Sequence, residues 1–88
     1  MEIRIIIYAP YFKRVYKKLS PELKAAFIKK EKLFRQDCFH PSLKTHKLGG
    51  KWKDYWAFWI DYSNRVMFQF GDDGYIYFFN VGGHSIYE

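Results

Sequence analysis

DYWAFWIDYSNRVMFQFGDDGYIYFFNV, residues 54–81, is the stretch of sequence that decides the fold. Aromatic and apolar side chains recur at every second residue over 54–62 and again over 65–70, which is the period of a β-strand. A Ser-Asn turn joins these two segments, and a Gly-Asp-Asp-Gly turn leads into a third strand over 75–81. The stretch therefore predicts a three-stranded antiparallel meander, with Arg65 on the face opposite the core.

The residues before the meander predict one strand and two helices. Residues 2–8 are mostly β-branched and partly alternating, as in a short strand. Pro10 suits the first turn of a helix, and apolar side chains then recur at three- and four-residue spacing among lysines. A Ser-Pro-Glu sequence at 20–22 is a helix start signal, so the second helix follows at once and is expected to end before Pro41.

Together these elements predict an α+β domain: an N-terminal strand, a helical hairpin and the meander, with both helices packed on one face of the sheet. Residues 41–53 show no period and are predicted to form a basic loop. The other face of the sheet is expected to stay partly open. The 88 residues are 49% hydrophobic, which predicts a single folded domain over residues 1–88 and excludes intrinsic disorder.

The charge is unevenly distributed along the chain. Fifteen Lys and Arg against nine Asp and Glu give a net charge of +6. Residues 13–53 hold thirteen basic and three acidic side chains, a net of +10, whereas residues 54–88 hold one basic and five acidic, a net of −4. The basic middle of the chain indicates a polyanion or an acidic protein as the partner.

The sequence contains no recognisable metal, cofactor or membrane motif. The single cysteine, Cys38, can form neither an intramolecular disulfide nor a cysteine-paired zinc site, which indicates a reducing compartment. The three histidines, His40, His46 and His84, are too far apart in sequence for a local metal motif. Neither a signal peptide nor a membrane span is recognisable, so we expect a cytoplasmic protein without a metal or cofactor.

The remaining inventory of cations, aromatic rings and imidazoles suits RNA chemistry. Cleaving RNA without a metal requires deprotonation of a 2′-hydroxyl, neutralisation of a phosphorane and protonation of the leaving 5′-oxygen. Histidine can serve in either proton transfer, and Arg and Lys hold phosphate charge. The competing interpretation is that the lysines form a solvated surface and the aromatic residues form the core.

Three segments, in this order, resemble the RelE/ParE superfamily of type II toxins. LKTHKLGGKWKDYW at residues 43–56 is similar to the family's LK-x-H-x-L-x-G segment with its following W/L-K-x-Y-R. NRVMF at residues 64–68 is similar to its central arginine strand, and VGGHSIY at residues 81–87 to its closing GtHdiY. The resemblance extends over nearly the full chain.

This resemblance implies a toxin that cleaves mRNA in the ribosomal A site as a metal-independent endoribonuclease and forms a hetero-oligomer with an acidic antitoxin. By motif position, Arg65 corresponds to the phosphate-stabilising arginine, and His84 or Tyr87 to the C-terminal proton-transfer group. His46 corresponds to a loop histidine of several RNase branches. The positions that contact the RNA backbone or ribosomal RNA in the family correspond to Lys44, Lys47, Lys51 and Lys53.

Two departures from the family pattern leave other functions open. Ala57 occupies a position where many relatives have an arginine, and Trp59 occupies the position of a catalytic histidine in the YafQ-like branch. The shared fold also includes ParE-like inhibitors of DNA gyrase, and a decayed toxin would only capture its antitoxin.

The site residues have structural alternatives as well. Arg65 could pair with Asp61 across the hairpin, and His46 could hydrogen-bond loop backbone. Tyr87 lies one residue from the chain end and could fray.

Overall fold

The structure, a computed structural model, describes residues 2–87; Met1 and Glu88, the ends of the predicted domain, lie outside the described residues. Its helices are α1 (Pro10–Lys17) and α2 (Pro21–Gln36), and its strands are β1 (Ile5–Tyr8), β2 (His46–Lys47), β3 (Trp56–Trp59), β4 (Arg65–Phe70) and β5 (Tyr75–Gly82). Three short 3₁₀ turns span Pro41–Leu43, Gly50–Trp52 and His84–Tyr87. No helix among residues 2–87 combines the length and the apolar character needed to cross a membrane.

The strands form one sheet in the order β1-β5-β4-β3-β2. β1 is parallel to β5, and the other three pairings are antiparallel. The two helices take the chain from β1 to β2 at the opposite edge of the sheet, and the antiparallel strands that follow return it to β5 beside β1. Parallel neighbours such as β1 and β5 cannot be joined by a tight turn. The predicted α+β arrangement, with both helices on one face of the sheet, is confirmed.

The Ser-Pro-Glu start signal acts as the sequence predicts. The Ser20 hydroxyl accepts a hydrogen bond from the N–H of Leu23 at 3.1 Å, and Pro21 occupies the first helical position. α2 ends at Gln36, where Asp37 leaves the helical conformation. The helical hairpin therefore has the bounds expected from its caps.

The hydrophobic core is largely aromatic. Phe34 on α2 is fully buried and stacks on Phe58 with ring centroids 4.7 Å apart. It also meets Phe68 and Phe78 edge-on at 5.0 and 5.6 Å, so one helix side chain contacts three strands. Such arrangements bring the positive edge of one ring to the negative face of another.

The predicted loop at residues 41–53 was only partly correct, since the sheet has five strands and not four. His46 and Lys47 pair with Ala57 and Trp56, and the N–H of Leu48 donates to the Tyr55 carbonyl at 2.9 Å. A two-residue strand is too short to show a period in the sequence, so the pattern could not predict it. The segment remains irregular on either side of β2.

The second face of the sheet is more covered than predicted. Ala57 and Met67 are fully buried there, on the side away from the helices. The chain turns back at Gly82, the last residue of β5, whose φ of +149° favours glycine, and continues into the turn His84–Tyr87. There the Trp52 indole N–H donates to the Tyr87 carbonyl at 2.7 Å, so the two 3₁₀ turns meet over this face. These turns leave the β1 end of the face uncovered, and its alternate side chains are exposed: Ile5, Ile7 and Tyr77.

Cys38 follows the end of α2, and its side chain is buried in the core cluster. Burial raises the pKa of the thiol. A thiol with a raised pKa forms little of the reactive thiolate, which favours a structural role for this residue.

Candidate active site

Arg65 begins β4 and is only 6% exposed. Its Nη1 donates to three backbone carbonyls of the β3–β4 turn: Asp61 at 2.8 Å, Tyr62 at 3.0 Å and Asn64 at 3.1 Å. The guanidinium carbon lies 3.9 Å from the centroid of the Trp59 ring, a cation–π contact. One nitrogen of the guanidinium thus braces the turn, while Nε and Nη2 make no hydrogen bond within residues 2–87.

The same turn is fixed from within by Asp61. Its carboxylate accepts hydrogen bonds from the N–H groups of Ser63 and Asn64 at 2.9 and 2.8 Å, and from the Asn64 side chain at 3.0 Å. Desolvation acts to raise the pKa of Asp61, but these hydrogen bonds and the nearby Arg65 charge outweigh it, so the pKa is lowered. Arg65 contacts Asp61 through the carbonyl, while the carboxylate serves the turn.

His84 and Tyr87 lie on one 3₁₀ turn beside Arg65. Arg65 pairs in register with Gly82, two residues before His84. The rings of His84 and Tyr87 have centroids 6.3 Å apart, and His84 is exposed. The structure therefore brings together three of the four residues predicted to be catalytic.

Tyr87 is anchored through its backbone, and its hydroxyl is buried. Its carbonyl accepts the hydrogen bond from the Trp52 indole, which holds the turn His84–Tyr87 in place and opposes fraying at this position. Its hydroxyl is buried and has no hydrogen-bond partner within residues 2–87. Burial raises the pKa of this hydroxyl, and the positive charge of Arg65 opposes the shift.

His46 lies apart from this cluster. Its ring Nδ1 is 2.8 Å from the Lys44 carbonyl, the local backbone contact that the sequence left open. The register pairs His46 with Ala57 and Arg65 with Trp59, so His46 and Arg65 share a face of the sheet with β3 between them. Two strand spacings place their backbones about 10 Å apart or more.

The four lysines predicted to contact RNA are all exposed, and they lie on different elements around β2. Lys44 has a left-handed backbone, and its Nζ lies 5.4 Å from the Trp59 centroid. Lys51 lies at the same distance over Trp52, and Lys53 follows that turn. Lys47 points to the face opposite His46, because successive strand residues alternate.

The sequence singled out Trp59 only as a departure from the family pattern, and it did not single out Tyr62. Trp59 carries Arg65 on its ring, and Tyr62 at the tip of the turn stands in an edge-on contact with Trp59 at 6.0 Å. Their spacing on either side of a strand end was the only available signal. Among residues 2–87, no three His, Cys, Asp or Glu side chains are grouped to hold a metal ion.

No protein-family model and no curated protein sequence matches the chain. Solved structures do match it closely in backbone. YafQ from Escherichia coli superposes with a TM-score of 0.70 at 17% identity, over 96% of this chain and 97% of that one. The YoeB/ParE toxin from Agrobacterium tumefaciens gives 0.75 at 14% identity, over 96% and 99%.

A chain of the Escherichia coli DinJ–YafQ toxin–antitoxin complex gives a TM-score of 0.75 at 18% identity, over 94% of both chains. These matches span nearly the whole of each chain at low identity. The protein therefore has the RelE-like toxin fold, and the resemblance noted in the sequence is confirmed at the level of the fold.

Proposed function

We propose that this protein is the toxin of a type II toxin–antitoxin system and cleaves mRNA on the ribosome. The observation that carries the proposal is the grouping of Arg65, His84 and Tyr87 at one end of the second sheet face, within a RelE-like fold. A guanidinium beside an exposed imidazole and a phenol supplies phosphate stabilisation and proton transfer together.

The proposed reaction uses the RNA's own 2′-hydroxyl as the nucleophile. The 2′-oxygen loses its proton and attacks the adjacent phosphorus, and the bond from phosphorus to the 5′-oxygen breaks. The products are a 2′,3′-cyclic phosphate and a 5′-hydroxyl end. His84 carries a proton at one end of this displacement, Arg65 binds the phosphorane through the nitrogens that do not brace the turn, and Tyr87 or His46 supplies the second proton transfer.

The proposed partners follow from charge and fold. The net charge of +10 over residues 13–53 suits ribosomal RNA and an acidic antitoxin alike. The fold is shared with a chain of the DinJ–YafQ toxin–antitoxin complex and with one of the RelBE2 toxin–antitoxin complex from Mycobacterium tuberculosis. We place the whole chain, as one cytoplasmic domain, in a hetero-oligomer with its antitoxin.

Expression of the protein in bacteria is expected to arrest growth and to produce mRNA fragments with 5′-hydroxyl ends. Such ends follow from attack by the 2′-oxygen, and labelling by a polynucleotide kinase without prior phosphatase treatment detects them. In a purified translation system, cleavage should require ribosomes. Cleavage of free mRNA that depends on added magnesium and not on ribosomes would contradict the proposal.

Replacing Lys51 and Lys53 together with alanine is expected to weaken ribosome binding and to flatten its salt dependence. Each phosphate contact contributes a slope of about 0.7–0.9 in log affinity against log salt, so two lost contacts reduce it by about 1.4–1.8. The matched control is the Lys29→Ala/Lys32→Ala variant, which removes the same charge from the exposed surface of α2. Equal slopes in the two double variants would show that net charge, and not the loop, sets the binding.

Inhibition of DNA gyrase is a second candidate function. Two observations favour it. Ala57 is buried at a position where many relatives have an arginine, and Arg65 Nη1 is already hydrogen-bonded to carbonyls of the β3–β4 turn. Supercoiling by purified gyrase, measured beside translation in a cell-free extract, separates the candidates. Inhibition of gyrase alone would favour a ParE-like function, and inhibition of neither would favour a protein that only binds an antitoxin.

A further inference from the structure

We propose that Tyr62, at the tip of the β3–β4 turn, is a stacking contact for one nucleobase of single-stranded RNA. The inference rests on the proposed ribonuclease function and adds to it a residue that positions the nucleotide beside the cleaved bond. No motif of the sequence points to Tyr62, and no step of the proposed reaction uses it. Its exposure, its rigid support and its neighbouring cations carry the proposal.

Tyr62 is unusually exposed for an aromatic residue. Its side chain is 83% exposed, well above the other exposed large apolar and aromatic side chains among residues 2–87, such as Ile28 at 59% and Phe39 at 51%. Its ring stands perpendicular to that of Trp59, with an interplanar angle of 85°. Such a contact covers at most one face of the Tyr62 ring, so at least one face is open to a planar ligand.

The turn that presents Tyr62 is rigid. The buried Arg65 guanidinium binds the carbonyls of Asp61, Tyr62 and Asn64, and the Asp61 carboxylate binds two N–H groups on the other side of the turn. The N–H of Ile60 closes it by donating to the Asn64 carbonyl at 2.9 Å. A ring on such a turn loses little backbone freedom when it binds a ligand, which favours binding.

The chemistry around Tyr62 fits a nucleotide. Lys44 Nζ and the Arg65 guanidinium both lie against the neighbouring Trp59 ring, at 5.4 and 3.9 Å from its centroid. An open aromatic ring beside fixed cations is the arrangement that binds single-stranded nucleic acid, with the base on the ring and the phosphate at the cation. The Asp61 carboxylate, the nearest acid, is engaged by the turn.

The test measures binding of a fluorescent single-stranded RNA hexamer to the purified full chain by anisotropy. Tyr62→Ala is expected to weaken binding about 5- to 150-fold, the contribution of one base–aromatic stack, and Tyr62→Phe to retain it. The salt slope should stay unchanged in Tyr62→Ala, because no phosphate contact is lost. Tyr77→Ala, which removes another exposed tyrosine from β5, is the matched control.

Two further probes separate base stacking from other causes. Heparin, a polyanion without bases, should bind Tyr62→Ala and the unchanged protein equally. A series of hexamers, each lacking the base at one position, provides the second probe. One of them should bind Tyr62→Ala and the unchanged protein equally, because its missing base is the one that stacks on Tyr62. Circular dichroism should show that Tyr62→Ala keeps the fold, since Tyr62 is 83% exposed and contributes little to packing.

Three results would overturn the inference: no binding of the hexamer by the unchanged protein, equal loss in Tyr62→Ala and Tyr77→Ala, or equal loss for heparin and RNA. The last would point to a general disturbance of the basic surface. The outcomes remain distinguishable from those of the proposed function. RNA binding that depends on Tyr62 without any cleavage would leave the stacking contact standing, whereas cleavage that is indifferent to Tyr62 would leave only the ribonuclease.

Discussion

Replacing His84 with glutamine is expected to slow mRNA cleavage by about 10²- to 10⁴-fold, the usual cost of losing one catalytic proton transfer. His84 is exposed on the turn that follows β5, so glutamine fits without disturbing the core. The loss should therefore appear in the cleavage rate and not in the thermal unfolding of the protein. Single-turnover cleavage on ribosomes programmed with a short mRNA measures it directly, and growth arrest in bacteria should disappear in parallel.

The matched control for this variant is Ser85→Ala, an exposed neighbour on the same turn whose side chain makes no hydrogen bond within residues 2–87. It should cleave at the unchanged rate. A His84→Gln protein that keeps full activity would assign the proton transfer to His46 or Tyr87. Parallel His46→Gln and Tyr87→Phe variants then identify which one, and Tyr87→Phe also separates the role of the hydroxyl from that of the ring.

Replacing Arg65 with alanine is expected to reduce cleavage by about 10²- to 10³-fold, the typical cost of removing one electrostatic stabiliser of a transition state. It should also lower the free energy of unfolding by about 1–3 kcal/mol, because the turn carbonyls that Nη1 binds lose their charged partner. Lysine should not rescue either property, since one ammonium cannot hold three carbonyls and a phosphate together. Denaturant unfolding and single-turnover cleavage measure the two losses separately.

The control for Arg65→Ala must lose stability without touching the site. Val66→Ala meets this need, because Val66 is the next residue of β4 and is fully buried on the helix side of the sheet. If both variants lost activity only in proportion to their loss of stability, Arg65 would act as a brace of the turn and not on the phosphate. A much larger loss of cleavage in Arg65→Ala supports the phosphate role.

The meander and the helical hairpin could be predicted because their determinants are local. Two turn sequences and a two-residue period define β3 to β5, and the cap at Ser20 defines the start of α2. β2 could not be predicted, because two residues carry no period and its pairing depends on where β3 lies. Local patterns thus specify long elements and leave the short ones to tertiary structure.

The candidate site was likewise predictable where local motifs specify it and not where it depends on tertiary structure. Motif positions selected Arg65, His84 and Tyr87, which the structure brings together. They could not show that Trp52 closes the second face, because its bond to the Tyr87 carbonyl joins residues 35 positions apart. Nor could they show that Arg65 binds backbone carbonyls, since every residue has a backbone carbonyl and the sequence does not indicate which ones a side chain will reach. The exposure of Tyr62 was equally invisible, because it depends on the shape of the braced turn.

The parallel pairing of β1 with β5 has a consequence for how the protein is made. Ile5 pairs with Tyr75 and Tyr8 with Phe78, so β1 stays unpaired on this side until β5 has been synthesised. Phe78 also contributes to the core beside Phe34, so a nascent chain that lacks β5 has an incomplete core as well as an unpaired first strand. Pairing at such long range slows folding, because the loop must close before its contacts form. Synthesis interrupted before β5 therefore yields a chain without the native sheet.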